Sequence, residues 1–333
     1  MVARRAWRIP VRIKPFVASS PPVVELAVRS DTADRLAIAA AVVTVLLWGS
    51  AFVVIRAVGT ELSPGPLAFV RLVVGAVLLV GIALAYRRVS IPRGRALALI
   101  AGYGLLWFAG YIVVLNWAEQ HLDAGTAALL VNFAPVIVAV LAGLFLGEGF
   151  PRQLIAGIVI AFLGVALIAV SGSGGAENDW LGVVLGLLAA VLYAAGVLLQ
   201  KVTLRTVDAM TATWLGCVVG MVATLPFAPQ AIDEMRAASA GAVAGAVYLG
   251  IGPTAVAFTT WAFALSRTNA GAMAATTLAV PAVAIAVSWV FLREIPTALA
   301  LVGGALALAG VALTRRRPAP SLKHESIDES AGR

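Results

Sequence analysis

The chain has 333 residues, of which 61% are hydrophobic and only 12% are charged, and its formal net charge is +8. Soluble domains carry about 25% charged residues, so this chain has too little charge to cover a water-facing surface. A nucleic-acid-binding protein needs a basic face, whereas the basic residues here lie at the termini and in short gaps between apolar runs. The composition therefore excludes a soluble globular protein and a nucleic-acid partner, and it makes the lipid bilayer the expected environment.

The two ends of the chain differ from the rest. Residues 1–34 are basic and contain four prolines, and they lack the apolar core and small-residue cleavage site of a signal peptide. We interpret them as a disordered cytoplasmic tail, with a mis-assigned start codon as the alternative. Residues 318–333 are interpreted as a second cytoplasmic tail.

Between the tails, apolar runs long enough to cross a bilayer follow one another, and a span needs about 20 residues as helix. Backbone in lipid must satisfy its own hydrogen bonds, so these runs are expected to be helices. The prediction is an all-α integral membrane protein with about ten transmembrane helices. The predicted spans are 36–58, 66–86, 96–117, 124–147, 153–171, 181–200, 210–228, 239–264, 271–292 and 297–314.

The positions of lysine and arginine predict the orientation of these spans, because basic residues accumulate on the cytoplasmic side. With a cytoplasmic N-terminus, only Arg56, Arg236 and Arg293 of the 24 basic residues fall in outer segments, and Arg71 alone falls within a span. A wrong span count would scramble this alternation. The prediction is a multi-pass bacterial inner-membrane protein with both termini in the cytoplasm.

The sequence also repeats itself. Residues 124–167 align without gaps onto 270–313 at an offset of 146, which pairs Pro135 with Pro281 and Glu148 with Glu294. An odd number of spans per copy makes the second copy enter the membrane in the opposite direction. This inverted duplication is typical of transporters, in which one central site opens alternately to either side. The predicted units are a first repeat over 35–172 and a second over 173–317.

Three features resemble the EamA family of the drug/metabolite transporter superfamily. They are the stretch 47–52 (LWGSAF), the Arg71-Leu72 pair, and a proline followed thirteen residues later by glutamate, which occurs once in each repeat. The resemblance covers 36–314 and implies a ten-helix basket around a central cavity that works by alternating access on small metabolites. The second repeat departs from the pattern, since Trp214 or Gly216 stands where an arginine would match Arg71.

Candidate site residues are the polar and aromatic side chains predicted at mid-membrane depth. A charge such as that of Arg71 within a span indicates a functional site, although a long side chain can also reach toward the interface. Polar groups near mid-span prolines either line a cavity or bond neighbouring helices. The predicted substrate-binding residues are Trp48, Ser50, Arg71, Trp107, Tyr111, Asn116, Asn132, Tyr193, Trp261, Thr276 and Thr277, and the predicted hinges are the kink-forming prolines Pro135 and Pro281.

Acidic residues and motifs limit the chemistry. No acidic residue is predicted clearly inside a span; Glu119 and Asp123 border the end of the third, and Glu148 and Glu294 are expected to stabilise helix N-termini. The chain has no Walker A, HExxH or GxSxG motif. We therefore expect no catalytic residues, no metal and no cofactor, while facilitated exchange and proton coupling both stay open.

These observations favour a secondary transporter or facilitator for a small amino-acid-like metabolite or a drug, with export preferred over uptake. The alternatives are a lipid-linked sugar flippase of the same superfamily and, third, a membrane-embedded enzyme. The expected partners are a small-molecule substrate and the lipid bilayer, and the oligomeric state stays open, with a homodimer among the possibilities.

Overall fold

The computed structural model describes residues 23–87, 89–137, 152–170, 180–267 and 276–314, and within these ranges every regular element is helical. Two of the spans contain a π-helical stretch, one at Gly104–Tyr111 and the other at Gly250–Val256. The α-helices are α1 (Val23–Val58), α2 (Pro64–Ala85), α3 (Arg95–Tyr103), α4 (Ile112–His121), α5 (Ala124–Val131), α6 (Arg152–Val170), α7 (Trp180–Thr203), α8 (Ala209–Ala223), α9 (Ala228–Ala237), α10 (Ala240–Leu249), α11 (Ala257–Arg267), α12 (Val280–Leu292) and α13 (Ala298–Thr314).

Five continuous helices among the described residues are long and apolar enough to cross a membrane. A sixth span results if α8 and the segment Leu225–Ala237, which meet at a bend of 49°, are taken together. Four shorter apolar helices fall within the remaining predicted spans. The five long helices are Arg35–Val58, Pro64–Ala85, Arg95–His121, Trp180–Thr203 and Ala240–Arg267.

Two boundaries differ from the sequence-based expectation. The first helix begins at Val23, so it includes residues 23–34, for which the sequence predicted a disordered tail. The third span continues to His121 instead of ending at residue 117, because Asp123 begins the next helix by accepting hydrogen bonds from the backbone N–H and the hydroxyl of Thr126. The longer third span brings Glu119 inside the helix bundle.

Many helix contacts join the two halves of the chain, and they come in corresponding pairs. Helix α1 packs on α11 and α12, and α7 packs on α4 and α5 in the corresponding way. The first π-helical stretch contacts α8, and the second contacts α2. Helices α6 and α13, which are equivalent in the sequence repeat, form the most extensive helix pair. The interior is therefore built from both halves of the chain.

Polar contacts close the bundle at the end where α1 finishes, which we call the Arg56 end. Arg56 Nη1 donates to the backbone carbonyl of Glu119 at 3.0 Å, and Arg56 Nε lies 3.5 Å from Glu294 Oε1. Ser63 donates to the Glu234 carboxylate through both its backbone N–H and its hydroxyl. These contacts join α1, α2, α4, α9 and the loop between α12 and α13.

The Glu61 carboxylate, at the same end, receives hydrogen bonds from the Ser239 backbone N–H at 2.6 Å and hydroxyl at 2.7 Å. These bonds lower the pKa of Glu61 below its usual value of 4.5. Because the folded-state pKa is depressed, the contribution to stability is present above the usual pKa and is lost as the pH falls through the lowered one.

We expect Glu61→Gln to reduce the melting temperature at neutral pH, and this difference from the wild type to vanish on acidification well below pH 4.5. Thermal unfolding in detergent across this range measures it. Asp233→Asn is the control, since Asp233 is exposed and pairs only with Arg236, at 3.7 Å and in the same helix, within the described residues. A difference from the wild type that persists in acid would contradict the role given to Glu61.

Candidate functional site: an aromatic cavity at the centre of the bundle

Two adjoining cavities lie at the centre of the bundle, with volumes of about 350 and 300 Å³ including space open to their surroundings. Four side chains line both of them: Trp48, Phe52, Tyr111 and Tyr193. The first cavity is completed by Val131, Asn132, Pro135, Thr277 and Val280, and the second by Ala51, Arg71, Trp107, Leu115 and Phe258. Both halves of the chain therefore contribute to one central site.

Trp48 packs at the centre of an aromatic cluster together with Trp107. The Trp48 ring centroid lies 5.1 Å from that of Trp261 and 5.5 Å from that of Phe258. Trp107 and Tyr193 are also within 6.3 Å of it. The indole N–H of Trp48 donates to the Pro253 carbonyl at 3.3 Å, which holds the ring in place. Tilted and edge-to-face aromatic pairs of this kind give a rigid apolar wall.

One π-helical stretch lines the site and the other holds lining residues by hydrogen bonds, which agrees with the frequent occurrence of π-bulges at functional sites. The first, Gly104–Tyr111, carries Trp107 and Tyr111 to the cavity. The second, Gly250–Val256, contains Pro253, which has no backbone N–H and so cannot donate a helix hydrogen bond. The second stretch also carries Thr254, whose hydroxyl accepts a 2.7 Å bond from Arg71 Nε.

Arg71 is 2% exposed, and its Nη1 has no hydrogen-bond partner among the described residues. Trp107, which lines the same cavity, likewise has an unpartnered indole N–H. Buried donors left unpaired cost free energy, and they are rare enough in native structures to need an explanation. Two free N–H donors at one cavity fit a ligand that brings acceptor oxygens.

The predicted site residues divide into two groups in the structure. One group lines the cavities, and the other packs or bonds outside them. The lining group comprises Trp48, Arg71, Trp107, Tyr111, Asn132, Tyr193, Thr277 and Pro135, and the outer group comprises Ser50, Asn116, Trp261, Thr276 and Pro281.

Three members of the outer group have evident structural contacts. The Ser50 hydroxyl shares a 2.6 Å hydrogen bond with the Tyr248 hydroxyl. Asn116 Nδ2 donates to the Pro64 carbonyl at 3.1 Å, which ties α4 to the start of α2. The Trp261 ring packs against the Trp48 ring, and its Nε1 donates to the side-chain oxygen of Gln200. We assign these three to positioning the wall rather than forming it.

The two prolines act differently from the expected mid-helix kinks. Helix α5 ends at a turn over Asn132 and Phe133, and Pro135 follows in the next helical segment. Pro281 is in the first turn of α12, directly after a 3₁₀ turn at Thr277–Ala279. Each helix is therefore interrupted before its proline, where a missing N–H costs little. The interruptions, rather than the prolines, place Asn132 and Thr277 at the cavity.

Glu119, expected at the border of the third span, is instead 1% exposed within it, and neither carboxylate oxygen has a hydrogen-bond partner among the described residues. The expectation that the acidic residues stay outside the spans was wrong here, because the third helix continues by one more turn. Glu148 lies outside the described residues, whereas Glu294 pairs with Arg56.

Sequence reasoning also missed Phe52, Gln200, Thr254 and Phe258. Gln200 is fully buried, and it links the Tyr103 hydroxyl at 3.2 Å to the Trp261 indole at 3.1 Å. A polar side chain in an apolar run is a signal available from the sequence, and Gln200 could have been found by it. Phe52 and Phe258 are ordinary apolar residues and carry no such signal.

We expect Trp48→Ala to lower the melting temperature and to impair ligand binding, since Trp48 is partly buried and packs against four aromatic rings, and truncating a fully buried aromatic side chain costs about 3–5 kcal/mol. Trp180→Ala is a matched control because Trp180 is 56% exposed. Thermal unfolding in the same detergent compares the two. Equal melting temperatures for the two variants would contradict the central packing of Trp48.

Comparison with known proteins agrees with this architecture. The model of the EamA-like transporter family matches residues 35–170 and again residues 180–316. A "Probable terminal-alkyne amino-acid exporter" from Streptantibioticus cattleyicolor is 39% identical over 281 residues, which cover 84% of this chain and 94% of the relative. The "Uncharacterized transporter YdfC" of Bacillus subtilis is 34% identical over 271 residues, covering 80% and 87%.

A solved crystal structure with 20% sequence identity superposes with a TM-score of 0.58 and covers 83% of this chain and 95% of that one. That likeness concerns the fold alone. The two family matches and the two curated relatives confirm the family that the sequence features resemble. The chain is a membrane transport protein and belongs to the EamA-like transporter family.

Proposed function

We propose that this protein is a secondary transporter that exports a small amino-acid-like metabolite with an apolar side chain across the bacterial inner membrane. The observation that carries the proposal is the pair of free donors, Arg71 Nη1 and Trp107 Nε1, at a cavity walled by aromatic rings. The guanidinium group is suited to a carboxylate, and the rings of Trp48, Tyr193 and Phe258 are suited to an apolar side chain.

Alternating access through ten spans, arranged as inverted repeats over 35–172 and 173–317, is part of the same proposal. Paired close approaches support it. A Cβ added to Gly104 would lie 2.7 Å from the carbonyl oxygen of Gly216, and one added to Gly250 would lie 2.8 Å from that of Arg71. Gly250 follows Gly104 by 146 positions, and Gly216 follows Arg71 by 145. The two halves thus repeat a backbone contact on either side of the cavity.

The orientation, with the Arg56 end outside, is also proposed. The predicted outer residues Arg56, Arg236 and Arg293 support it. Arg56 contacts Glu294, the neighbour of Arg293, and Arg236 belongs to α9, which Glu234 joins to Ser63. These contacts place the three arginines at the same end of the bundle, as is required of residues on one side of the membrane.

Exchange in proteoliposomes tests the function. Vesicles are loaded with unlabelled amino acid, and entry of labelled substrate is followed at equal pH on both sides, with protein-free vesicles as the control. The panel holds L-propargylglycine, chosen because a relative is named as an exporter of terminal-alkyne amino acids, together with L-leucine and L-phenylalanine. Propargylamine and phenethylamine, which lack the carboxylate, complete it.

We expect exchange of at least one of the amino acids and little exchange of the amines. Failure of every amino acid in the panel would overturn the proposed substrate class, and equal exchange of acids and amines would overturn the role of the guanidinium group.

A further inference from the structure

Glu119 differs from the other carboxylates described in the loops and helix caps. Both of its oxygens are buried without a hydrogen-bond donor among the described residues. Four other carboxylates each accept a hydrogen bond from a nearby serine or threonine. Glu61 accepts from Ser239, Asp123 from Thr126, Asp208 from Thr211 and Glu234 from Ser63. Since Glu119 accepts no such hydrogen bond, its burial needs an explanation other than capping or joining neighbouring elements.

The position of Glu119 relates it to the cavity. Tyr111, Leu115 and Glu119 are spaced by four residues, so they share one face of the helix. Tyr111 and Leu115 line the cavity, and Glu119 follows about 6 Å farther along, at about 1.5 Å per residue. Its carboxylate is therefore one turn from the cavity, toward the Arg56 end.

The charged and titratable groups around Glu119 come from several elements. Helix α7, which also packs on α4, brings no charged group, because its single charged residue, Lys201, is near its far end. Its titratable residue, Tyr193, lines the cavities. His121 is two residues away on the same helix. The charged groups near Glu119 are Arg56 of α1, Arg71 of α2, Asp123 before α5 and Glu294 before α13. Tyr111 of the π-helical stretch is a titratable but uncharged neighbour.

Neither arginine is bonded to the Glu119 carboxylate. Arg56 binds the backbone carbonyl of Glu119 and the Glu294 carboxylate, and Arg71 Nε binds Thr254. An unpaired carboxylate buried in the protein interior is expensive, and a buried acid commonly becomes neutral by taking up a proton. The uncharged acid is the form that this environment accommodates.

We propose that Glu119 is the proton-binding site of the transporter, and that it couples proton entry to substrate export. The inference rests on the proposed function. Opening of the Arg56–Glu294 contact admits water to the carboxylate, which takes a proton from the outer side. The proton is released to the inner side after the cavity reverses, and substrate moves in the opposite direction.

Chemical labelling tests the site without any transport assay. Dicyclohexylcarbodiimide reacts with protonated carboxyl groups in apolar surroundings, so we expect it to modify the peptide containing Glu119 in the purified, detergent-solubilised protein. Labelling is expected to fall as the pH rises and to be absent in Glu119→Gln. Asp233→Asn, which changes an exposed acid, is expected to label like the wild type. Unlabelled Glu119 in the folded wild type at every pH tested would overturn the proton site.

Coupling is tested in vesicles that are acidic inside. We expect the wild type to accumulate labelled L-propargylglycine above the outer concentration and Glu119→Gln to abolish this accumulation. Glu119→Asp, which keeps a titratable acid, is expected to retain part of it, and melting temperatures verify that each variant is folded. Exchange at equal pH without gradient-driven accumulation would overturn the coupling and leave the transport function standing. Labelling without exchange of any amino acid would leave the proton site and overturn the function.

Discussion

The Arg71→Ala variant is expected to lose amino-acid exchange by about 10- to 100-fold while remaining folded. A hydrogen bond to a charged group contributes about 1.5–3 kcal/mol, and 1.4 kcal/mol corresponds to a factor of ten in affinity. The variant also loses the Arg71–Thr254 bond, but Thr254 keeps its own bond to the Leu249 carbonyl at 2.8 Å. The loss should therefore fall on the ligand more than on the fold.

Two further variants separate binding from structure. Arg71→Lys keeps the charge but lacks the planar fork of the guanidinium group, so an intermediate rate is expected. Thr254→Val removes the partner of Nε and leaves Nη1 available, so exchange should be reduced less than in Arg71→Ala. Exchange of amino acids and their amines is measured for each variant beside its melting temperature. If Arg71→Ala lowers the melting temperature and leaves amino-acid exchange intact, Arg71 is a structural residue.

The second large effect is expected at the contact between α6 and α13. A Cβ at Gly164 would collide with the backbone of Gly303 and Ala307, and one at Gly310 would collide with the backbone of Gly157 and Ala161. Helices in membranes associate through such close approaches of small residues. Gly164→Leu must separate the two helices, so we expect destabilisation of at least about 1–3 kcal/mol.

Gly81→Leu is the matched control for Gly164→Leu. A Cβ added to Gly81 meets nothing within 4 Å, although the glycine is also within a membrane-spanning helix. Thermal unfolding of both variants in the same detergent, together with the yield of monodisperse protein, measures the difference. Closely similar unfolding curves for the two variants would show that the α6–α13 contact is not tightly packed.

Much of the architecture could be predicted from local properties of the sequence. The low charge content implies a lipid environment because charged surface is what a soluble fold requires. The repeat, visible as the pairing of Pro135 with Pro281, predicted two related halves, and the family match also falls on the chain twice. Trp48, Arg71, Tyr111 and Tyr193, which line a central cavity, could be selected as candidates because polar or amphipathic side chains at mid-span depth are unusual.

Other features depended on the packing of the whole bundle. The two π-helical stretches change the direction in which later residues point, and hydrophobic periodicity does not show where such a change occurs. The helix interruptions before Pro135 and Pro281 are tertiary features of the same kind. They explain why Asn132 and Thr277 reach the cavity.

The sequence by itself determined that this protein is a duplicated helical membrane protein, because hydropathy, charge placement and repetition are properties of residues along the chain. Only the tertiary structure decided which side chains share the cavity and that Glu119 is buried beside it. The reason is physical: burial depends on what neighbouring helices place around a side chain. One additional helical turn, together with the contacts of Arg56 across the bundle, enclosed a carboxylate that the linear order placed at an edge.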